Sequence, residues 1–208
     1  MDVKKRAYLD AMEIPVWALK ATEPTQTPSM DTLKHCIAAC QRCRLGKTRT
    51  QTVFGVGDQH ADIMIIGEAP GFYEDQQGEP FVGRAGQLLN AMLISIGLTR
   101  EQVFIANILK CRPPNNRDPL PDEVEACTGY LLEQIAFVKP KVICAVGRIA
   151  AQYLLKTEQA LGKLRGKQHL YNNVPLIITY HPAYLLRNPI DKKKAYEDLL
   201  LLLNLFIS

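Results

Sequence analysis

Three polar residues, Glu68, Asn107 and His181, each stand within or just after a short apolar run. Glu68 follows IMIIG, Asn107 lies in VFIANIL, and His181 follows PLIITY. Such runs are typical of buried parallel strands, whose carboxyl ends meet at one edge of a sheet. Ligands of open α/β sheets bind outside that edge. A carboxylate, a carboxamide and an imidazole are therefore expected to converge there, which predicts an active site.

Four cysteines in two groups form a second candidate site, a metal centre. Cys40 and Cys43 have the two-residue gap typical of paired thiolate ligands, and Cys111 and Cys127 lie far downstream. Four thiolates suit either a structural zinc ion or an iron–sulfur cluster. The spacing leaves both open.

The two other cysteines are interpreted differently. Cys36 with Cys40 and Cys43 also matches the three-cysteine pattern of radical S-adenosylmethionine enzymes. We expect this segment on a helix, in a chain too short for the barrel of those enzymes, so Cys36 is expected beside the metal site and not in it. Cys144, in the middle of an apolar run, is expected to be a small buried side chain.

Strands and helices alternate from residue 61 onward, which predicts an α/β fold with a parallel sheet covered by helices on both faces. The predicted strands are 62–67, 103–109, 142–147 and 175–180. The predicted helices are 86–96, 122–138, 148–155 and 191–206, preceded by a helix from an Asp31 N-cap through Cys43.

The chain has 208 residues and a net charge of +4. This length suits one domain with a small appendage, and we divide it into an N-terminal helical extension and linker at 1–30 and a main domain at 31–208. No stretch has the pattern of a signal peptide or a membrane span, so we expect a cytoplasmic protein. The slight positive charge favours a polyanionic partner, although only weakly.

Four motifs together resemble those of the family 4 uracil-DNA glycosylases, the iron–sulfur-containing branch of that superfamily. The motifs are GEAPG at 67–71, GEPFVGRAG at 78–86, NILKCRPP at 107–114 and HPA at 181–183. The resemblance covers roughly residue 40 to the C-terminus, with the same order and compatible spacing. It implies a three-layer α/β/α sandwich on a central four-stranded parallel sheet. It also implies an enzyme that excises uracil from DNA and leaves an abasic site.

The resemblance implies a cofactor and a partner as well. The cofactor is a structural [4Fe–4S] cluster bound by Cys40, Cys43, Cys111 and Cys127. The partner is uracil-containing DNA, single- or double-stranded. We expect a monomer that does not bind membranes.

Catalysis is assigned by the resemblance to Glu68 and His181. Glu68 is expected to stay ionised, to favour an oxocarbenium-like sugar and to orient water. His181 is expected to donate a hydrogen bond to O2 of the departing uracil, worth about 3 kcal/mol. The alternative for His181 is a structural cap. A second central carboxylate is not needed, since uracil leaves as a delocalised anion.

Recognition of the base is expected to centre on Asn107 and Phe81. The Asn107 carboxamide accepts from uracil N3–H and donates to O4, a pattern that cytosine reverses. Phe81 is expected to stack on the base. Glu74 is expected to block the methyl group of thymine, with Tyr73 as a local alternative. Backbone N–H groups at 67–71 and at 83–86 are expected to hold uracil oxygens or phosphate. Within 67–71, the residues assigned to uracil binding are Gly67, Ala69 and Gly71.

Contacts to the rest of the DNA are expected from four residues. Leu185 is the first candidate for the wedge that fills the gap in the base stack, and Leu186 is the second. The alternative is that either leucine packs under its own loop. Arg84 and Arg187 are expected to contact DNA, Arg187 through phosphate.

Two other functions remain open. A uracil-DNA binder that forms a covalent adduct without turnover would need a histidine on an inserted loop after the Asn107 strand, and residues 107–121 contain no histidine. The sequence does not distinguish a strict uracil-DNA glycosylase from one of relaxed specificity that also acts on hypoxanthine or thymine, because the width of the base pocket decides which bases are accepted.

Overall fold

The structure, a computed structural model, describes residues 11–12 and 29–207. Except for residues 11–12, the predicted N-terminal helix lies outside these residues, as does most of the linker after it. Within them, no helix is long and apolar enough to cross a membrane.

Short strands and helices alternate along the chain. The strands are β1 (Val56–Gly57), β2 (Ile63–Gly67), β3 (Phe104–Asn107), β4 (Val142–Val146), β5 (His169–Tyr171) and β6 (Val174–Thr179). The helices are α1 (Met30–Ala38), α2 (Phe72–Gln77), α3 (Arg84–Ile94), α4 (Pro121–Val138), α5 (Arg148–Leu155), α6 (Leu161–Leu164), α7 (Pro182–Arg187) and α8 (Lys192–Ile207). Turns of 3-10 helix occupy Arg44–Lys47, Arg100–Gln102, Pro114–Asn116 and Pro189–Asp191.

The strands pair in the order β1-β3-β2-β4-β6-β5. The inner four, β3, β2, β4 and β6, are parallel and correspond to the four predicted strands, so the predicted fold class is confirmed. Strands β1 and β5 add antiparallel edges, so the sheet of the described residues has six strands and not four. Strands β1 and β5 were not predicted, because they are only two and three residues long and are not fully buried.

Helices cover both faces of the sheet, as a three-layer sandwich requires. Along β2, Met64 and Ile66 pack with α1, α4 and α5 on one face. Ile63 and Ile65 pack with α3, α7 and α8 on the other. This alternation follows from the two-residue period of a strand and explains why β2 is apolar throughout. Cys144 of β4 is fully buried in the second core, as predicted.

Helix α1 differs from its prediction at both ends. It begins at Met30, because the hydroxyl of Ser29 accepts a hydrogen bond from Thr32 N–H at 3.1 Å and supplies the N-cap that was assigned to Asp31. It ends at Ala38, so Cys40 and Cys43 follow the helix and do not lie on it.

The first turn of α3 is crowded by the segment before it. A Cβ atom at Gly86 would overlap the carbonyl group of Phe81. The close approach of these two backbones therefore requires glycine, and it fixes where the chain at Phe81 lies against the helix.

We expect Gly86→Ala to lower the free energy of unfolding by about 1–3 kcal/mol, because the methyl group forces the backbone at Phe81 away from α3. Gly129→Ala is the matched control: it also lies in a helix, and no atom beyond that helix's own backbone lies within 4 Å of the added carbon. It should raise stability by about 0.5–1 kcal/mol. Denaturant titration of both variants measures the difference, and equal changes would contradict the crowding at Gly86.

Candidate active site

A cavity of about 480 Å³ opens at the carboxyl edge of the sheet. Glu68, Asn107 and His181 all line it. Gly67 is paired with Asn107 across β2 and β3, which brings Glu68 next to Asn107. The structure thus brings together the three residues that the sequence placed at strand ends. The volume falls in the range of ~300–1,000 Å³ that is usual for small-molecule sites.

Glu68 is half-buried, and its acidity is strongly altered. Burial, and after it the negative charge of Asp118, raise its pKa to about 7, while Arg148 acts in the opposite direction. Asp118 Oδ2 and Arg148 Nη2 form an ion pair at 2.9 Å. Near neutral pH both the acid and the carboxylate of Glu68 are therefore populated. A group of this pKa is suited to exchange a proton with water, and the expected carboxylate form of Glu68 predominates above pH 7.

His181 is the N-cap of α7, where its Nδ1 accepts a hydrogen bond from Ala183 N–H at 3.1 Å. Burial, and after it the positive charge of Arg187, lower the pKa of the imidazole to about 4, while Glu74 acts in the opposite direction. The ring is therefore neutral near pH 7. Because Nδ1 is the acceptor, the hydrogen bond assigns the single ring proton to Nε2. His181 can act as a cap and as a donor at once.

Asn107 is 2% exposed, and its Oδ1 has no hydrogen-bond partner among the described residues. Its backbone carbonyl accepts from Lys110 Nζ at 2.6 Å. A buried oxygen without a donor costs about 1–3 kcal/mol. Such a group in a cavity wall marks a place where the N–H of a ligand completes the site.

Phe81 forms part of the cavity wall in a left-handed conformation, with φ of 55°. Arg100 fixes this turn by donating to the carbonyl oxygens of Phe81, at 3.3 Å, and of Pro80. The Phe81 ring lies 5.7 Å from that of His181, with 32° between the planes. The side chain is thus held beside the imidazole by backbone geometry.

Glu74 lines the same cavity and is fixed by two backbone donors. Its Oε1 accepts from the N–H groups of Val82 at 3.0 Å and Gly83 at 3.2 Å. The N–H of Gly83 was expected to hold a uracil oxygen or a phosphate, and that expectation is wrong because the Glu74 carboxylate occupies it. Ala69 and Gly71 line the cavity, as does the neighbouring Glu68.

Of the four residues expected to contact the surrounding DNA, one is buried in the structure and three are exposed. Leu185 is fully buried in the core under α7, so its assignment as the wedge is wrong. Leu186 is 38% exposed, because successive side chains on a helix point in different directions. Arg84 and Arg187 are exposed, and Arg187 also lines the cavity.

Sequence reasoning missed the contribution of the loop after β3. Arg117 and Asp118 line the cavity, and Arg117 binds both carboxylate oxygens of Glu123 at 2.8 and 2.6 Å. Arg148 reaches Asp118 from the start of α5. The loop has no periodic pattern, and its only signal in the sequence is its dense proline and charged residues.

The four cysteines Cys40, Cys43, Cys111 and Cys127 line one small cavity. Within the described ranges, no three Cys, His, Asp or Glu side chains are arranged to hold a single metal ion. Four thiols around one small cavity are a donor set that fits an iron–sulfur cluster or a structural zinc ion. Cys36 is exposed and, like Cys144, does not line this cavity.

Two donors favour ionised sulfur at this site. Arg49 Nη1 donates to Cys111 Sγ at 3.1 Å, and Lys110 N–H donates to Cys127 Sγ at 3.3 Å. Burial raises the pKa of both thiols, that of Cys127 to about 11, and these donors act in the opposite direction. Metal ligation requires the thiolate, which such hydrogen bonds stabilise.

Comparison with known proteins agrees with this geometry. The model of the uracil DNA glycosylase superfamily matches residues 54–201, a range that includes the whole cavity. A type-4 uracil-DNA glycosylase of Archaeoglobus fulgidus is 47% identical over 178 residues, covering 82% of this chain and 89% of the relative. Those of Saccharolobus solfataricus and Thermotoga maritima are 45% and 42% identical, covering 82% and 79% of this chain and 83% and 86% of the relatives. The resemblance seen in the four motifs is confirmed, and the chain belongs to the uracil DNA glycosylase superfamily.

Proposed function

We propose that the protein hydrolyses the N-glycosidic bond of uracil in DNA, releasing the base and leaving an abasic site. The observation that carries this proposal is the buried Asn107 carboxamide, whose Oδ1 has no partner among the described residues. Uracil supplies N3–H to that oxygen and O4 to the amide nitrogen, whereas cytosine presents the reverse pattern. The type-4 uracil-DNA glycosylases among the relatives support this assignment.

The base must leave the helix to reach the cavity, at a cost of a few kcal/mol. Leu186, exposed on α7, is the wedge that fills the gap in the stack. Arg187, at the cavity, and Arg84, exposed at the start of α3, bind phosphates. Phe81 stacks on the extruded base, since its ring is fixed in the cavity wall beside His181.

His181 stabilises the leaving group. The Nε2–H of its neutral ring donates to uracil O2 as negative charge develops there, and its low pKa keeps that charge state across the neutral range. Because uracil departs as a delocalised anion, the imidazole does not need to give up its proton.

Glu68 acts on the sugar side of the bond. As a carboxylate it favours the positive charge that develops on the sugar and accepts a proton from the attacking water. Its pKa of about 7 supports the second role, because the proton affinity is high enough for a general base.

Exclusion of thymine is assigned to Glu74. Its carboxylate is held by Val82 and Gly83, so it forms a rigid wall that yields little to a methyl group. Tyr73 is 60% exposed and does not line the cavity, which disfavours the alternative. A wall of this kind also argues against a glycosylase of relaxed specificity.

The four cysteines hold a [4Fe–4S] cluster in this proposal. Bound there, the cluster cross-links the segment after α1, the loop after β3 and helix α4, which is a structural contribution. Reduced thiols at such a site are typical of a cytoplasmic protein, and one chain supplies every group of the catalytic cavity, so a monomer suffices.

The overall proposal is tested by incubating the protein with a uracil-containing oligonucleotide. We expect free uracil in excess over enzyme and an abasic strand. A persistent covalent adduct without turnover would instead identify a uracil-DNA binding protein.

Asn107→Ala should lower kcat/KM for uracil excision about 10- to 100-fold, because it removes both hydrogen bonds to the base edge. Gln168→Ala removes an exposed carboxamide far along the sheet and serves as the control. The measurement is excision from oligonucleotides carrying uracil, thymine or hypoxanthine. Unchanged activity and selectivity in Asn107→Ala, and also in Glu74→Ala, would contradict the assigned pocket.

The pH profile of excision should follow the ionisation of Glu68. We expect kcat/KM to rise about tenfold per pH unit below pH 7 and to level off above it, since only the carboxylate is active. Asp118→Asn removes a negative charge that raises this pKa, so the rise should move to lower pH. Arg148→Gln should move it to higher pH, and shifts in the opposite directions would contradict the assignment.

The control for this profile is Glu68→Gln, which should lose most excision and still bind uracil-containing DNA. The folded-state pKa of Glu68 is raised, so its ionisation costs stability as the pH rises from about 4.5 through 7. Glu68→Gln should therefore be at least as stable as the parent at pH 8. Loss of DNA binding or of stability would show that Glu68 holds the loop together.

Purification without oxygen should give a coloured protein containing about four irons per chain if a [4Fe–4S] cluster is bound. Cys127→Ser should lose iron, visible absorbance and thermal stability, because a ligand is removed. Cys36→Ser, which changes an exposed cysteine outside the cavity, should keep all three. A colourless protein loaded with zinc would contradict the cluster.

A further inference from the structure

Two exposed aromatic rings lie directly beside the catalytic loop. Phe72 and Tyr73 are 51% and 60% exposed and form the first turn of α2, immediately after Gly71. Their rings meet edge to face at 5.4 Å. Neither ring lines the base cavity, although Gly71 and Glu74 on either side of them do. Adjacent large apolar groups at the rim of a site are typical of a binding surface.

A cation is stacked on this pair. Arg112 Cζ lies 5.1 Å from the centre of the Phe72 ring, and Arg112 Nε donates to Asn116 Oδ1 at 2.7 Å. Arg112 and Asn116 belong to the loop after β3, and Asn116 lines the cavity. The pair and the cation therefore join the two loops that border one side of the mouth.

The position of this group relative to the wedge follows from the strand order. Phe72 and Arg112 follow β2 and β3, which are neighbours, whereas Leu186 follows β6 on the far side of β4. A strand whose uracil enters the cavity continues away from the mouth in both directions. The side of the mouth away from the proposed wedge is the side on which the two aromatic rings lie.

We propose that Phe72, Tyr73 and Arg112 form a stacking platform for a nucleotide next to the extruded uracil, which serves single-stranded DNA. This inference rests on the proposed function. Aromatic rings bind bases of single strands whatever their sequence, and arginine adds attraction to the base and the phosphate. In a duplex the neighbouring bases are already paired and stacked, so they gain less from the platform.

The proposal is tested with single-stranded oligonucleotides that carry one uracil. In a matched set, each flanking nucleotide in turn is replaced by a tetrahydrofuran residue, which keeps the backbone but has no base. For the strand without a tetrahydrofuran residue, Phe72→Ala should raise KM about 5- to 30-fold and leave kcat within about twofold. On the strand that lacks the stacked base, the same variant should have no effect. On a duplex the effect should be smaller than on the single strand.

Two further variants separate stacking from folding. Phe72→Leu keeps apolar packing under Arg112 but removes the ring, so it should raise KM with an unchanged melting temperature, and Tyr73→Ala should also raise KM. Ile94→Ala is the matched control. Ile94 is 66% exposed and is the last residue of α3, at the end away from Arg84, so its substitution should leave KM unchanged. If Phe72→Ala acts equally on every oligonucleotide, or only lowers the melting temperature, the group merely joins two loops and the platform is refuted.

Binding without catalysis keeps this inference distinct from the proposed function. Fluorescence anisotropy of a labelled single strand without uracil measures DNA binding without base excision, and the difference between parent and Phe72→Ala reports the contribution of the platform. Weaker binding by Phe72→Ala supports the platform even if no uracil is released. The absence of uracil release would refute only the proposed glycosylase activity. Uracil release with equal binding and KM for parent and variants would refute only the platform.

Discussion

The floor of the cavity depends on the close approach of two side chains to a single backbone position, Gly67 at the end of β2. A Cβ atom there would overlap the Asn107 carboxamide oxygen and lie 2.7 Å from the Phe81 ring. Because glycine has no side chain, the Asn107 carboxamide, proposed to read the edge of the base, and the Phe81 ring, proposed to stack on its face, reach the same small space. Phe81 needs further support, a left-handed backbone held by Arg100 and packed against Gly86.

Around this floor, burial shifts the pKa values of the two groups proposed to be catalytic, Glu68 and His181, in opposite directions. Desolvation raises the pKa of the Glu68 carboxyl and lowers that of the His181 imidazole. The first becomes a base of near-neutral strength, and the second stays a neutral donor. Asp118, in the loop after β3, raises the pKa of Glu68 and Arg148, at the start of α5, lowers it, so charges from two different elements adjust this carboxyl.

The segment 107–111 links this cavity to the cysteine site. Lys110 is buried, and its Nζ donates to the carbonyl of Asn107 and to Gln134 Oε1, both at 2.6 Å. Its backbone N–H donates to Cys127 Sγ. A group bound to Cys111 and Cys127 would therefore also fix the strand end that carries Asn107, which would connect the proposed cluster to the proposed recognition of the base.

The sequence by itself determined the four parallel strands and the residues at their ends, because a strand buried on both faces must be continuously apolar and its polar end is conspicuous. Its local patterns did not identify the edge strands, which are too short to show a period. Only the tertiary structure decided that Leu186 and not Leu185 is exposed, since the rotation of α7 is set by packing. It alone brought Asp118 to Glu68, fifty residues away in the chain. Proximity of this kind sets a pKa, and no local pattern in the sequence records it.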